Sequence, residues 1–383
     1  MLLSFIISFK RTNRITYFID DWEQRKSKEV CSISTGKSNT QDKVEDGDYP
    51  FYVRSAIIER SNKYLYDEEA VLTVGDGVGT GKVYHLVNGK YDLHQRVYRM
   101  FDFNHGITIE YFFYYFSKNF YKRVQAMTAK TSVDSVRLEM IAEMKINYPN
   151  QNEQIKIGNF FKQLDDTITL QERKLSLLKL MKKGFLQQLF PKNEQVLPDI
   201  RFTNFQEVWE KRKLGNIVEI IMGQSPNSEN YTDNPLDNIL VQGNADMKNG
   251  RVVPRVWTKQ ITKKAERNDL ILSVRAPVGD IGKTDYSIVI GRGVAAIRGN
   301  EFIFQTLGKM KIDGYWNKLS TGSTFESINS NDIKEAQIKI TNIKEQTKIG
   351  NFFKQLDETI TLQEKKIDQL KQIKKALLQK MFI

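Results

Sequence analysis

The sequence predicts an α+β protein with two globular halves, each followed by a long helix, and with the two helices paired. Three observations predict this fold. A 38-residue segment, Glu153–Phe190, recurs as Glu345–Phe382 with 26 identical positions. Each copy follows a half in which short strand-like runs precede glycine-rich turns. Each copy also carries a heptad seam of apolar residues. We therefore expect globular domains at 1–150 and 192–341, and long helices at 151–191 and 342–383.

The repeat extends beyond the helix. The motif Trp-Glu-Gln-Arg-Lys at Trp22 corresponds to Trp-Glu-Lys-Arg-Lys at Trp209, and each is preceded by a Phe and an Arg at matching spacing. Two further pairs correspond: Thr35-Gly-Lys-Ser38 with Met222-Gly-Gln-Ser225, and Ser132–Val136 with Thr324–Ile328. Between these anchors the halves diverge almost completely. Two units are too few for a solenoid, so the repeat predicts a pseudo-two-fold protein.

The repeated segment has the features of a helix that pairs with its own copy. It is rich in Leu, Lys, Gln and Glu and lies between Pro149 and Pro191. The seam runs for four heptads, and the only equally long seam is its twin, so we expect the two helices to form a coiled coil. Packing of each helix on its own domain is the alternative. The predicted pairing residues are Leu164, Ile168, Gln171, Leu175, Leu178, Phe185 and Leu189, and Leu356, Ile360, Gln363, Ile367, Leu370, Leu377 and Met381.

The two divergent halves each predict a small mixed or antiparallel sheet. The strand-like run Ala70–Val74 precedes the turn Gly75–Gly81, and Asp269–Val274 precedes Ala276–Gly282. We interpret Gly75–Gly81 as a tight, flexible turn, because its glycines lack the spacing of a dinucleotide-binding loop. One helical stretch in each half is aromatic, and we expect those side chains to lie in the core. They are Tyr111–Phe116, Phe120 and Tyr121, and then Phe302, Phe304 and Trp316.

The composition indicates a soluble, mildly basic protein. The net charge is +12 and the pI is about 9.4, which favours a polyanionic partner. The single cysteine, Cys31, excludes an internal disulfide and is typical of a cytoplasmic protein. Three histidines leave little material for a metal site, and we expect none. The apolar stretch Met1–Phe9 is too short to span a membrane, and we interpret it as a start-site irregularity or a small packing element.

No catalytic motif is found in the chain, so we expect no catalytic residues. Thr35–Ser38 resembles the end of a phosphate-binding loop, but Cys31 stands where the first glycine is needed. The pairs Glu172/Lys174 and Glu364/Lys366 lie on the predicted helices, away from a sheet and a second acid. Two alternatives remain open: an enzyme that acts on nucleic acid through an unrecognised site, and a two-domain scaffold that binds proteins.

Taken together, these motifs resemble the DNA-specificity subunits of type I restriction–modification systems. The resemblance covers nearly the whole chain. It rests on the Trp-Glu-x-Arg-Lys start of each half, on Glu-Gln-x-Lys-Ile-Gly-x-Phe-Phe-x-x-Leu-Asp at 153–165 and 345–357, and on the doubled order of these motifs. One departure is Ser27-Lys28, which replaces the Leu-Gly present at Leu214-Gly215.

The resemblance implies a non-catalytic chain with two target-recognition domains, which read the two parts of a split, asymmetric DNA sequence. It also implies that the conserved helices pair antiparallel, set the gap between the half-sites and dock modification subunits, of which we expect two. S-adenosylmethionine would be held by those methyltransferase subunits, and ATP and Mg by a restriction subunit. This chain itself would hold no cofactor. From Leu164 to Leu189 a helix spans roughly 37 Å, similar to one turn of duplex DNA at ~34 Å.

Candidate DNA contacts are the cations and polar side chains of the two variable halves, because such groups bind phosphates and base edges. For any one of them, an ordinary solvated role is equally compatible with the sequence. In the first half the candidates are Lys37, Ser38, Arg54, Lys82, Arg96, Arg99, Lys122, Arg123, Lys130 and Thr131. In the second half they are Gln224, Ser225, Gln242, Asn244, Arg251, Arg255, Arg275, Lys283, Arg292 and Ser323.

Overall fold

The computed structural model describes residues 22–128, 135–192, 194–319 and 327–382. Its contacts divide the chain into two compact units. Unit 1 comprises Met1–Leu170 and Ile367–Ile383, and unit 2 comprises Gln171–Lys366. The boundaries between the units fall inside the two long helices, so each unit contains part of both repeated segments. The stretch Met1–Phe9, the residues that precede Trp22 in its motif, and most of the pair Ser132–Val136 and Thr324–Ile328 lie outside the described residues.

Unit 1 is built on a six-stranded mixed sheet and a separate two-stranded ribbon. The sheet has the order β2-β7-β5-β6-β3-β4, in which only β3 and β6 run parallel. The ribbon pairs β1 with β8 and matches Lys26 with Lys145. The strands are β1 Glu23–Lys26, β2 Ser32–Thr35, β3 Tyr49–Tyr52, β4 Ile58–Ser61, β5 Tyr66–Val74, β6 Tyr84–Leu93, β7 Val97–Phe101 and β8 Lys145–Tyr148.

The aromatic helix of unit 1 packs on one face of this sheet. Val71 of β5 contributes to the core beneath the helix, while its neighbours Ala70 and Leu72 belong to a second core on the other face. Tyr111 and Phe116 are fully buried, as predicted for this aromatic stretch. The helices of the domain are α1 Ser27–Val30, α2 Ile109–Met127 and α3 Leu138–Ala142.

Unit 2 contains two sheets that share a core, and a ribbon. One sheet has the order β10-β20-β17-β18-β14-β13 and the other β11-β15-β12-β19-β16. Ile271 of β17 and Ile290 of β19 pack in one cluster between the sheets. The strands are β9 Glu210–Lys213, β10 Glu219–Met222, β11 Tyr231–Thr232, β12 Asn238–Val241, β13 Met247–Lys248, β14 Arg251–Val252, β15 Val256–Thr258, β16 Lys264–Ala265, β17 Leu270–Ser273, β18 Ile281–Lys283, β19 Ile288–Ile290, β20 Val294–Arg298 and β21 Gln337–Ile340.

Unit 2 repeats the topology of unit 1 around its centre. The ribbon β9–β21 matches Lys213 with Gln337, as β1–β8 does in unit 1. The parallel pair β12–β19 corresponds to β3–β6. The predicted single aromatic helix is wrong here, because a turn at Gly314 separates Trp316 from Phe302. The short helices are α5 Glu301–Ile312, α6 Tyr315–Leu319 and α7 Ser330–Glu335, and the long ones in the chain are α4 Gln151–Gln188 and α8 Ile343–Met381.

Each long helix has a glycine at the same position of the repeat, Gly158 or Gly350, and this glycine permits a close approach to the aromatic helix of its unit. A Cβ atom on Gly158 would lie 2.8 Å from Glu110 Cβ, and one on Gly350 would lie 2.9 Å from Glu301 Cβ. Glycine inside a helix costs about 1 kcal/mol relative to alanine. The close approach explains why glycine occupies this position of the repeat in both copies.

The two long helices contact each other antiparallel within each unit. In unit 1, Phe161 stacks on Phe382, and Lys374 Nζ lies 2.5 Å from Asp165 Oδ1. Because the earlier residue of one helix contacts the later residue of the other, the segments run in opposite directions.

Unit 2 repeats this arrangement with the roles of the two helices exchanged. Lys182 Nζ lies 2.6 Å from Asp357 Oδ1, and the amide of Gln363 donates to Gln171 Oε1 at 2.8 Å. Asp357 and Lys182 are the counterparts of Asp165 and Lys374 at the repeat offset of 192. All fourteen predicted pairing residues are buried or half-buried. The lysines at the seam are thus paired with aspartates of the partner helix.

Within the described ranges, no helix is long and apolar enough to cross a membrane. The same residues contain no group of three or more His, Cys, Asp or Glu side chains placed to hold a metal ion.

Candidate nucleic-acid interface

The Thr35–Ser38 motif ends strand β2 at the rim of a cleft in unit 1. A Cβ on Gly36 would lie 2.0 Å from the carbonyl oxygen of Leu93, so only glycine fits where the chains cross. The amides of Gly36, Lys37 and Ser38 donate to backbone carbonyls. These N–H groups are therefore not available to cradle a phosphate, which supports the interpretation of the motif as a structural turn. Gly223 makes the same approach in unit 2, 2.1 Å from Gly291 O.

The cleft of unit 1 is polar and has a volume of about 550 Å³. In the lining of this cleft, Asp76 lies between two exposed cations. Its carboxylate oxygens are 3.7 Å from Arg54 Nη1 and 3.7 Å from Arg96 Nε. Both guanidinium groups are thus held at the cleft but retain donors for a ligand. The cleft is lined by Asn39, Thr40, Gln41, Arg54, Asp76, His94, Gln95 and Arg96.

His94 contributes a titratable imidazole to this cleft, and one of its ring nitrogens accepts a hydrogen bond. Its Nδ1 accepts the backbone N–H of Arg96 at 3.0 Å, and its Nε2 lies 3.3 Å from Thr40 Oγ1. Burial lowers the pKa of His94, and the positive charge of Arg54 lowers it further. The ring therefore stays neutral at physiological pH and can keep Nδ1 as an acceptor.

The cleft of unit 2 has a volume of about 280 Å³ and a different set of side chains. The Oγ of Ser225 accepts the backbone N–H of Arg292 at 3.1 Å. The backbone N–H of Gln242 donates to Asp246 Oδ2 at 2.8 Å, which fixes the strand end beside the cleft. Within the described part of the chain, neither Arg275 nor Arg292 forms an ion pair. The cleft is lined by Ser225, Tyr231, Gln242, Gly243, Asn244, Ser273, Arg275, Ala276, Arg292 and Gly293.

The two clefts occupy the same position in the topology. Asp76 forms a bridge with Ser135, and Arg275 forms the same bridge with Ser327. The residue before each also matches, because the amide of Gly75 donates to Arg96 O and that of Val274 to Gly293 O. Asp76 and Arg275 are therefore equivalent, and the charge at this position is reversed between the units.

Two candidate DNA contacts, Arg99 and Ser38, bind other side chains of unit 1. The guanidinium of Arg99 pairs with Glu68 and is 12% exposed, and it lies over the rings of Tyr66 and Phe101. Ser38 is buried and donates to Asp92 Oδ1 at 2.6 Å. Both side chains are thus engaged by partners within unit 1.

The remaining candidates fall into three groups. In the clefts lie Arg54 and Arg96 of unit 1 and Ser225, Gln242, Asn244, Arg275 and Arg292 of unit 2. Outside the clefts lie Lys37, Lys82, Lys122, Arg123, Gln224, Arg251, Arg255 and Lys283, of which Arg251 pairs with Asp285 and Lys283 with Glu301. Lys130, Thr131 and Ser323 lie outside the described residues. Asp76 and His94 were not among the predicted residues, because the cleft joins segments that lie far apart in the chain.

The chain thus has two globular domains with different clefts, each joined to one of two repeated, paired helices. This architecture is that of a DNA-specificity protein. A family profile described as type I restriction modification DNA specificity domain matches residues 19–180 and 206–372. The chain belongs to this family and contains the domain twice. It is a specificity subunit with two target-recognition domains, the non-catalytic class of subunit in these systems.

Individual relatives agree with this family. The putative type I restriction enzyme MjaX specificity subunit of Methanocaldococcus jannaschii is 28% identical over 97% of this chain and 95% of its own length. The type I restriction enzyme EcoDI specificity subunit of Escherichia coli is 25% identical over 48% of this chain and 40% of its own.

Solved structures share the fold. The S subunit of a type I restriction–modification system from M. genitalium has a TM-score of 0.71 at 16% identity, with 97% of this chain and 99% of that chain covered. A chain from a structure describing assembly and conformational transition of the type I restriction–modification system has a TM-score of 0.58 at 21% identity, covering 95% and 98%.

Proposed function

We propose that this subunit reads a bipartite, asymmetric double-stranded DNA site, one part with the cleft of each unit. The observation that carries the proposal is the equivalent position of Asp76 and Arg275. The same point of one topology presents a carboxylate in unit 1 and a guanidinium in unit 2. A carboxylate accepts from the amino group of cytosine, while a guanidinium donates to the O6 and N7 of guanine. Two sites that differ in this way favour different base sequences.

The paired helices α4 and α8 act in this proposal as a spacer and as the docking surface for two methyltransferase subunits. Three leucines of α4 are exposed: Leu170 at 63%, and Leu177 and Leu180 at 65% each. Exposed leucines on a long helix favour a helical partner. S-adenosylmethionine on these subunits, and ATP and Mg on a restriction subunit, would supply the chemistry of the complex, which we place in the cytoplasm.

The test is to map methylated adenines in cells that carry or lack this gene. We expect one two-part motif with a fixed gap, present only with the gene. Exchange of residues 30–130 for the corresponding segment of a relative should change one half of the motif. A change in both halves would contradict two independent readers. Methylation or cleavage of plasmid DNA by the purified chain alone would favour a self-contained enzyme.

A further inference from the structure

We propose that Val78 reads a thymine by contact with its C5-methyl group in the major groove. The inference rests on the proposed function, because it assigns one base contact to the cleft of unit 1. Val78 lies at the tip of the Gly75–Gly81 turn, and the residue is 97% exposed. A single exposed apolar side chain is ordinary on a protein surface, so the case depends on where this one is held.

The turn places Val78 beside the cations of the cleft. It follows Asp76 by two residues, and Asp76 contacts Arg54 and Arg96. A Cβ atom on Gly77 would lie 3.4 Å from Arg54 Cβ, so the backbone next to Val78 is already against this arginine. DNA bound by the two guanidinium groups would therefore also meet the Val78 side chain.

Hydrogen bonds close this turn in one conformation. Thr80 donates to Gly77 O through its amide at 3.2 Å and its hydroxyl at 2.6 Å, and the amide of Gly81 donates to Val74 O at 3.0 Å. Gly77 and Gly81 have φ values of +87° and +63°, which other residues rarely adopt. The glycines thus shape a tight turn that is closed by these hydrogen bonds. Val78 is β-branched, so its χ1 angle is restricted and the side chain has few rotamers.

The chemistry of the tip matches one feature of duplex DNA. The thymine methyl group is the apolar group in the major groove, and apolar side chains are its usual contacts. Insertion between base pairs from the minor groove uses bulkier wedges such as Phe, Leu, Ile, Met or Pro. Unit 2 presents another exposed apolar residue two positions after the equivalent bridge, Pro277 after Arg275. An apolar tip beside a polar cleft is therefore common to both units.

The experiment uses the complete complex with its modification subunits and duplexes that carry the mapped motif. Each thymine of the half-site read by unit 1 is replaced singly by uracil, which removes only the methyl group. We expect wild type to bind about three- to fivefold more weakly at one such position, the value of one buried methyl group. Val78→Ala should bind the thymine and uracil duplexes equally, and Val78→Thr, which keeps one methyl group, should retain part of the difference.

Val44→Ala is the matched control, since it removes the same atoms from a 38%-exposed valine outside the cleft. It should keep the wild-type preference for thymine. The proposal is overturned if the half-site of unit 1 contains no A·T pair, if wild type shows no uracil penalty, or if Val78→Ala keeps the full penalty. Absence of sequence-specific binding by the wild-type complex would instead contradict the proposed function, so the two failures are distinguishable.

Discussion

The two units keep the same contacts at their helices and differ in their clefts. In unit 1 Asp165 accepts from the Tyr114 hydroxyl and pairs with Lys374, and in unit 2 Asp357 accepts from the Gln305 amide and pairs with Lys182. The tryptophan motifs also pack alike, with Trp22 against Tyr111 and Trp209 against Phe302.

The position of Asp76 and Arg275 shows the opposite behaviour, because its backbone bridge is retained while its charge is reversed. After duplication, the residues that join a domain to the helices were kept, and those that face the cleft were free to change. The following variants test whether the two units are equivalent where they are alike and independent where they differ.

The largest effect is expected from the buried ion pair of unit 2. Both carboxylate oxygens of Glu345 accept from Arg201 at 2.7 Å, and the Glu345 side chain is fully buried. Arg201→Ala leaves this carboxylate uncompensated and should lower the free energy of unfolding by about 3–5 kcal/mol. Arg251→Ala is the control, because its pair with Asp285 is exposed and is worth about 1 kcal/mol or less. Urea denaturation followed by tryptophan fluorescence measures both.

Cys31 makes it possible to ask which unit is affected. It is the only cysteine of the chain, it is buried in unit 1, and burial raises the pKa of its thiol to about 12. Because the thiolate is the reactive form, labelling by a thiol reagent at neutral pH requires unit 1 to open. Arg201→Ala should leave the labelling rate unchanged. A strongly raised rate would contradict independent units.

The next effect concerns the fixed glycine of each long helix. Gly158→Ala and Gly350→Ala should each lower the free energy of unfolding by about 1–2 kcal/mol, since the added methyl group overlaps Glu110 or Glu301. Gly184→Ala is the matched control in the same repeat. Nothing lies within 4 Å of its Cβ position, and the second copy already has Ala376 there. It should stabilise the protein by about 1 kcal/mol. Equal effects at all three glycines would refute the close-approach explanation.

A comparable free energy is expected at the clefts, but in DNA binding. Arg292→Ala should cost about 1–3 kcal/mol in specific binding and relax the motif at one position. Only the half read by unit 2 should change, as measured by adenine methylation mapping. Arg251→Ala removes a cation outside the cleft that pairs with Asp285, and it should leave the motif intact. If Arg292→Ala also relaxes the half of the motif that unit 1 reads, the two units do not recognise DNA independently.

The smallest effect is expected from the seam ion pairs. Asp165→Lys alone places two cations together, and addition of Lys374→Asp should recover about 0.5–1 kcal/mol, since the pair is partly exposed. Asp357→Lys with Lys182→Asp should behave alike. A thermodynamic cycle on each pair measures the coupling. Coupling in one unit only would show that the pairs are not equivalent.

The long helices, the tryptophan motifs at Trp22 and Trp209 and the aromatic core could be predicted, because each is marked by a pattern within one short segment of the sequence. Repetition, heptad spacing and turn residues are read within one segment, so both long helices were expected within two or three residues of where they begin and end. The α+β class was also predicted, and the mixed sheets confirm it.

The clefts could not be predicted, because their residues meet only through the sheet order. Asp76 lies between Arg54 and Arg96, which come from different loops. Arg99 illustrates the same limit in reverse. Its partner Glu68 lies 31 residues earlier on the neighbouring strand β5, so nothing local distinguishes this arginine from one that binds DNA.

The ribbons have a consequence for how such genes change. Each variable segment begins and ends on two adjacent, hydrogen-bonded strands. Lys26 lies opposite Lys145 in unit 1, and Lys213 lies opposite Gln337 in unit 2. A cassette exchanged at these residues keeps its ends together whatever its internal length. Recombination between different alleles at the ribbons would thus replace one variable domain in one step and leave the paired helices unchanged.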